Sequence, residues 1–77
     1  MITVYSATWC GFCHMAKQYF DKLGLKYEDK DVESNPEYAK ESVAKSGQMG
    51  IPVIDIDGEI IIGFDRPRID AAILKHK

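Results

Sequence analysis

Seventy-seven residues with ten basic and twelve acidic side chains, a formal charge of −2, make one small domain, residues 1–77, with a thin core and no room for a second module. That balance gives no electrostatic reason to expect nucleic acid or an anionic membrane, and Arg66, Arg68, Lys75 and Lys77 near the C-terminus read as a solvated helix face. No apolar run approaches the ~20 residues of a spanning helix, and Met1 leads straight into the alternation of Ile2 and Val4, so a cytoplasmic location and no membrane partner are expected.

Ile2 and Val4 alternate with Thr3 and Tyr5, and β-branched and aromatic residues dominate through Ser6, which predicts a strand buried on at least one face. From Gly11 or Phe12 to Leu23 the period becomes helical. Met15, Tyr19 and Leu23 recur every four residues, Ala16 and Phe20 widen the stripe, and Lys17, Gln18, Asp21 and Lys22 fall largely opposite. Gly24 then suits the left-handed conformation that ends a helix. A second strand is expected from Tyr27 to Asp31, its charges marking a sheet edge. A strand-helix-strand unit crosses over right-handed, which makes its two strands parallel.

Ser34-Asn35-Pro36-Glu37 reads as a capping box with a proline in the first turn, opening a helix to about Lys45 that Gly47 closes. Its modest apolar set of Tyr38, Ala39, Val43 and Ala44 predicts shallow packing. Val53–Ile56 and Glu59–Ile62 flank Asp57-Gly58, a dipeptide suited to a two-residue hairpin turn, so they should be antiparallel neighbours. Asp65 or Arg66 precedes a last helix with Pro67 near its start and Ile69, Ala72, Ile73 and His76 at helical spacing. The order β-α-β-α-β-β-α predicts an α/β fold with a four-stranded mixed sheet flanked by three helices.

The chain's two cysteines, Cys10 and Cys13, stand three residues apart where the first strand hands over to the first helix. Positions i and i+3 share a helix face, so their sulfurs can close a small disulfide with little backbone movement. Such a loop is too short to stabilise much, and cytosolic disulfides are commonly transient and catalytic. Only a thiolate attacks a disulfide, and unpaired N–H groups with the positive end of the helix dipole favour an anion at Cys10. Cys10 is therefore the expected nucleophile and Cys13 the resolving thiol that attacks the mixed disulfide on Cys10. Trp9 and Phe12 supply an apolar rim, and His14 and Lys17 are candidates for tuning the thiol's acidity. No metal site is expected, since two cysteines and the distant His14 and His76 do not make a tetrahedral zinc set.

Val4-Tyr5-Ser6 leading into Trp9-Cys10-Gly11-Phe12-Cys13-His14, then Gly50-Ile51-Pro52-Val53, then Gly63-Phe64-Asp65, resembles the glutaredoxin family of the thioredoxin superfamily over essentially the whole chain. The resemblance implies a compact thioredoxin-like fold and a thiol-disulfide oxidoreductase acting on protein disulfides or glutathione mixed disulfides. It also implies a cis Pro52 facing the cysteines, with the backbone of Ile51 presented to an extended substrate as an added strand. Phe64 and Asp65 fall where the family binds one end of glutathione, although the family's glycine pair is here Gly63-Phe64. Ala7 occupies the place of the family's glutathione-binding lysine or arginine, Phe12 replaces the thioredoxin active-site proline, and Val4 stands where thioredoxins carry a buried acid. No tightly bound cofactor is implied. The resemblance implies glutathione or thioredoxin reductase as the reductant, and the chain is expected to act as a monomer. Gly63-Phe64 with Arg66-Pro67 is also similar to glutaredoxin-like electron donors of ribonucleotide reductase. Cys10-Gly11-Phe12 is similar to monothiol glutaredoxins that hold an iron-sulfur cluster with glutathione between two protomers, an alternative binding or carrier role.

Overall fold

The computed structural model describes residues 1–48 and 50–76, so Lys77 of the C-terminal basic set lies outside the described residues. The elements are β1 (Ile2–Ser6), α1 (Gly11–Lys22), β2 (Glu28–Asp31), α2 (Pro36–Ser46), β3 (Val53–Ile56), β4 (Glu59–Ile62) and α3 (Arg66–Lys75). They form one mixed sheet of order β2-β1-β3-β4, with β1 parallel to β2 and antiparallel to β3, and with β4 antiparallel to β3. The central strand β1 is buried at all five positions, whereas the charged β2 is the outer strand beside it. No helix among the described residues is long and apolar enough to cross a membrane.

The alternation along β1 sends its side chains to two different layers. Ile2 and Val4 join Ile54, Ile56 and Ile61 of the sheet, and Ala16, Phe20, Ile69 and Ala72 of α1 and α3, in the main core. On the other face Tyr5 is fully buried, and its hydroxyl donates to Glu41 of α2 at 3.0 Å. Lys30 pairs with the same carboxylate at 3.0 Å, and that bond together with the one from Tyr5 holds Glu41 below the usual carboxylate range. Lys45 of α2 reaches across to Asp55 of β3 at 2.6 Å. One face is thus an apolar core and the other a polar lattice around an aromatic ring, which explains why Ser42 is the one buried residue of α2.

Two local expectations are corrected. The buried face of α1 is Cys13, Ala16 and Phe20, while Met15 and Leu23 are exposed at 46% and 47%. The sheet meets this short helix over a narrow strip, so the four-residue repeat of large side chains runs along the edge of the strip rather than through it. The cap of α2 is Asn35, whose side chain accepts the N–H of Glu37 at 3.0 Å. Ser34 instead donates its hydroxyl to the Asp31 carbonyl and completes the turn leaving β2.

The ends of the other elements follow from local chemistry. Gly24 takes φ 72°, and the N–H groups of Gly24 and Leu25 bond to the carbonyls of Asp21 and Phe20 at 3.0 Å each, the paired bonds of a Schellman ending. Asp57 and Gly58 both have positive φ, 50° and 97°, as the tight turn between β3 and β4 requires. Asp65 caps α3 by accepting the Arg68 N–H.

Candidate active site

β1 ends at Ser6, and the four residues before α1 deliver the cysteine pair to the end of the sheet. Cys10 is the N-cap residue of α1, with extended backbone (φ −87°, ψ 107°), and its Sγ accepts the N–H of Cys13 at 3.2 Å. Its own N–H donates to the Ala7 carbonyl at 3.2 Å, and its carbonyl accepts the His14 N–H at 3.2 Å. Cys10 and Cys13 are joined as a disulfide with their Cα atoms 5.2 Å apart. Cys13 is fully covered while Cys10 retains a small exposed area, 6%. A helix N-terminus has N–H groups with no intrahelical acceptor, and no acidic side chain lies in the first turn of α1 to compete for them.

Behind the sulfurs, Ala7, Cys10 and Cys13 form a small apolar cluster, and Ile51 packs against it. The Ile51–Pro52 peptide bond is cis, and Pro52 is buried. Two segments some forty residues apart in the chain thus meet at the cysteines. In front, Trp9 and Phe12 stand out at 69% and 63% exposure, and Phe12 shares a recess of about 270 Å³ with Gly11 and Met15. Both aromatic rings are surface, not core.

His14 and Lys17 are committed to other bonds. The His14 ring donates from Nε2 to the carbonyl of Thr8 at 2.9 Å and ties the first turn of α1 to the loop before it. Lys17 pairs with Asp29 of β2 at 3.0 Å, and Asp29 also accepts the hydroxyl of Ser6 at 2.6 Å. Partial burial works against ionisation of Asp29, but the bonds from Ser6 and Lys17, with the charges of Lys17 and His14, outweigh it and hold the carboxyl below its ordinary range. The charge of Lys17 is therefore balanced by Asp29. Phe64 packs into the main core and meets the Tyr19 ring edge-on at 5.9 Å, and Arg66 lies 4.7 Å over that same ring. Asp65 is spent on the cap of α3.

Sequence reasoning missed Glu33. Its carboxylate accepts the indole N–H of Trp9 at 2.8 Å and the hydroxyl of Thr8 at 3.3 Å, so it grips both residues that lead into Cys10. The signal was within reach: the register pairs Thr3 with Glu28 and Ser6 with Asp31, and the same offset of 25 residues carries on to Thr8 and Glu33. The Val32 N–H donating to the Ser6 carbonyl at 2.9 Å continues the ladder beyond the strands.

Among the described residues, no three His, Cys, Asp or Glu side chains converge to hold a metal ion. A cluster shared between two chains through glutathione needs that tripeptide held at each site. Ala7, 1% exposed and packed on the cysteines, offers it no cation, so the residues present do not fit such a group.

Residues 2–61 match the Glutaredoxin family model. A glutaredoxin-like 8.6 kDa protein of the rubredoxin operon of Clostridium pasteurianum is 37% identical over 75 residues, covering 97% of this chain and all of its own length. Among solved structures, the thioredoxin-like protein BC3987 superposes with a TM-score of 0.87 at 24% identity, covering 94% of this chain and 99% of its own, which bears on the fold alone. NrdH-redoxin from Escherichia coli, a glutaredoxin-like protein with a thioredoxin-like activity profile, superposes with a TM-score of 0.79 at 28% identity and 91% coverage of each chain.

Proposed function

The chain belongs to the glutaredoxin family and is a thiol-disulfide oxidoreductase of thioredoxin-like fold, and from that premise we propose that it reduces protein disulfides, Cys10 attacking and Cys13 resolving. The Cys10 thiolate forms a bond to one sulfur of the substrate disulfide while the other sulfur leaves as thiolate. The Cys13 thiolate then attacks Cys10 Sγ, the first substrate sulfur leaves, and the pair ends as the Cys10–Cys13 disulfide holding the two-electron oxidation. The observation that carries this order is the N-cap position of Cys10, with its sulfur on the Cys13 N–H at 3.2 Å while Cys13 itself is covered.

Protein disulfides rather than glutathione mixed disulfides are favoured by two features. Phe12 and Met15 line an exposed recess at the start of α1, and the exposed Trp9 precedes Cys10 directly in the chain, apolar surface that a polypeptide can cover. The position of the family's glutathione-binding cation is a buried alanine. Ile51, packed on the cysteines, supports a role for its backbone in pairing with the substrate chain, and the buried Pro52 joined to it by the cis bond shares that role in this reading. The electron source in this reading is thioredoxin reductase in preference to glutathione, with a reductase that must be re-reduced at each turnover, such as ribonucleotide reductase, as acceptor; the likeness to the E. coli NrdH-redoxin supports it. The chain acts as a cytoplasmic monomer.

The test offers the oxidised protein separately to thioredoxin reductase with NADPH and to glutathione with its reductase. Faster reduction by thioredoxin reductase is expected, and equal or faster reduction by glutathione would overturn the choice of donor. In parallel, Cys13→Ser is expected to accumulate as a mixed disulfide with a protein substrate, and unimpeded turnover of that variant would overturn the resolving role.

A further inference from the structure

Glu33 lies outside the cysteine motif and outside everything the dithiol reaction itself requires, yet it is bonded to the segment that positions the nucleophile. Its two carboxylate oxygens each receive a neutral donor, the Trp9 indole N–H at 2.8 Å and the Thr8 hydroxyl at 3.3 Å, so the contact fixes the group without cancelling its charge. The loop carrying it is fixed in turn, because the N–H groups of Glu33 and Ser34 both donate to the carboxylate of Asp31, at 2.8 and 3.4 Å. Among the described residues no cation pairs with Glu33. Lys17, the lysine nearest in the chain to the motif, is engaged with Asp29 at 3.0 Å, the His14 ring sits on the Thr8 carbonyl at 2.9 Å and makes no ion pair with Glu33, and the buried Ala7 supplies no cation. The rim next to Cys10 therefore carries an uncompensated negative charge alongside its apolar surface.

We propose that Glu33 is a specificity-determining residue: its charge disfavours thiols and disulfides that carry an anionic group beside sulfur and directs the enzyme to neutral or basic disulfide segments. This rests on Cys10 being the sulfur that exchanges with substrate. It narrows the substrate class, because an anionic tripeptide thiol is repelled where an uncharged or basic peptide segment is not. A contact that merely anchored the Trp9 indole would need only an acceptor oxygen, which glutamine also provides, so Glu33→Gln separates charge from anchoring.

The experiment reduces the oxidised full-length protein with 3-mercaptopropionate, 2-mercaptoethanol and cysteamine, which place a negative, a neutral and a positive group near sulfur. One thiolate attacks Cys10 Sγ and Cys13 leaves as thiolate; a second thiolate attacks the small thiol's sulfur in the mixed disulfide, forming the symmetric disulfide and freeing Cys10. Two electrons pass from two thiols to the protein, and the rate is followed by the fluorescence of Trp9, the chain's one tryptophan. Rates are divided by those of the same thiolates on a small uncharged disulfide. The expected wild-type order is cysteamine, then 2-mercaptoethanol, then 3-mercaptopropionate. A unit charge acting in water over ~8 Å changes each charged probe's rate by a factor of roughly 2.4, so Glu33→Gln should lower the cation-to-anion ratio about sixfold at low salt. Glu33→Lys should invert the order, and 0.5 M salt should flatten it in the wild type.

An unranked wild type, a ratio unchanged in Glu33→Gln, or a loss that affects all three thiols alike would each overturn the charge assignment while leaving the dithiol reading intact. A disulfide that none of the three thiols opens, or that is opened by attack at Cys13 with Cys10 leaving, would overturn the dithiol reading and this inference with it.

Discussion

Replacing Cys10 by serine and by alanine separates its two roles. Its sulfur caps α1 by accepting the Cys13 N–H at 3.2 Å, and a serine hydroxyl is a favoured acceptor at the same place. Alanine leaves that N–H without its partner. Losing an N-cap acceptor costs about 1 kcal/mol, within a range of roughly 0.5–2, and no acidic side chain in the first turn of α1 compensates. Neither variant can form the Cys10–Cys13 disulfide, so their comparison is free of the cross-link. For a domain of this length, about 1 kcal/mol corresponds to roughly 4–8 °C in Tm. Thermal unfolding by circular dichroism, with reductant present to keep Cys13 free, should place Cys10→Ser above Cys10→Ala by that interval. In disulfide-reduction assays both should fall to the uncatalysed background, since neither a hydroxyl nor a methyl group exchanges electrons with a disulfide. Equal melting temperatures would refute the capping geometry, and residual turnover in Cys10→Ser would refute Cys10 as the nucleophile.

Phe20 is fully buried at the centre of the main core, and Phe20→Ala should cost about 3–5 kcal/mol, a large part of the roughly 4–12 kcal/mol expected for a domain of this size; urea unfolding checks it, and a loss below about 1.5 kcal/mol would show that α1 is not anchored there. Asp29 has its carboxyl held below the ordinary value of 3.8, so its stabilising contribution is present above that pH and is lost as acid protonates it in the folded state. The Tm gap between wild type and Asp29→Asn should therefore be widest near neutrality and narrow progressively as the pH falls below 4, and a gap that widens on acidification would contradict the pairing with Lys17 and Ser6.

Much of this architecture is legible along the chain because it depends on neighbours in sequence. Alternation marks β1, Gly24 and Gly47 sit where helices end with positive φ, and Asp57-Gly58 forms the hairpin turn it suits. The parallel pairing of β1 with β2 follows from the helix between them, which returns the chain to the end of the sheet where β1 began. The errors fall where burial is decided by what a helix meets. Met15 and Ala16 are adjacent in the chain, but the sheet covers Ala16 and leaves Met15 to the recess beside Phe12. Ser34 and Asn35 are both good caps, and Asp31 settled the choice by engaging Ser34 in the turn from β2.

By itself the amino-acid sequence determined the reaction and the order of elements, since two cysteines three residues apart at a helix start need no distant partner to define their chemistry. Only the tertiary structure decided the surroundings of those cysteines. It brought Ile51 onto them across some forty residues, paired Lys17 with Asp29 so that its charge is spent, and set the carboxylate of Glu33 against Trp9 and Thr8. The physical reason is that a covalent spacing acts through a few bonds, whereas a charge acts through space, and where a charge stands is known only once β1 and β2 lie side by side.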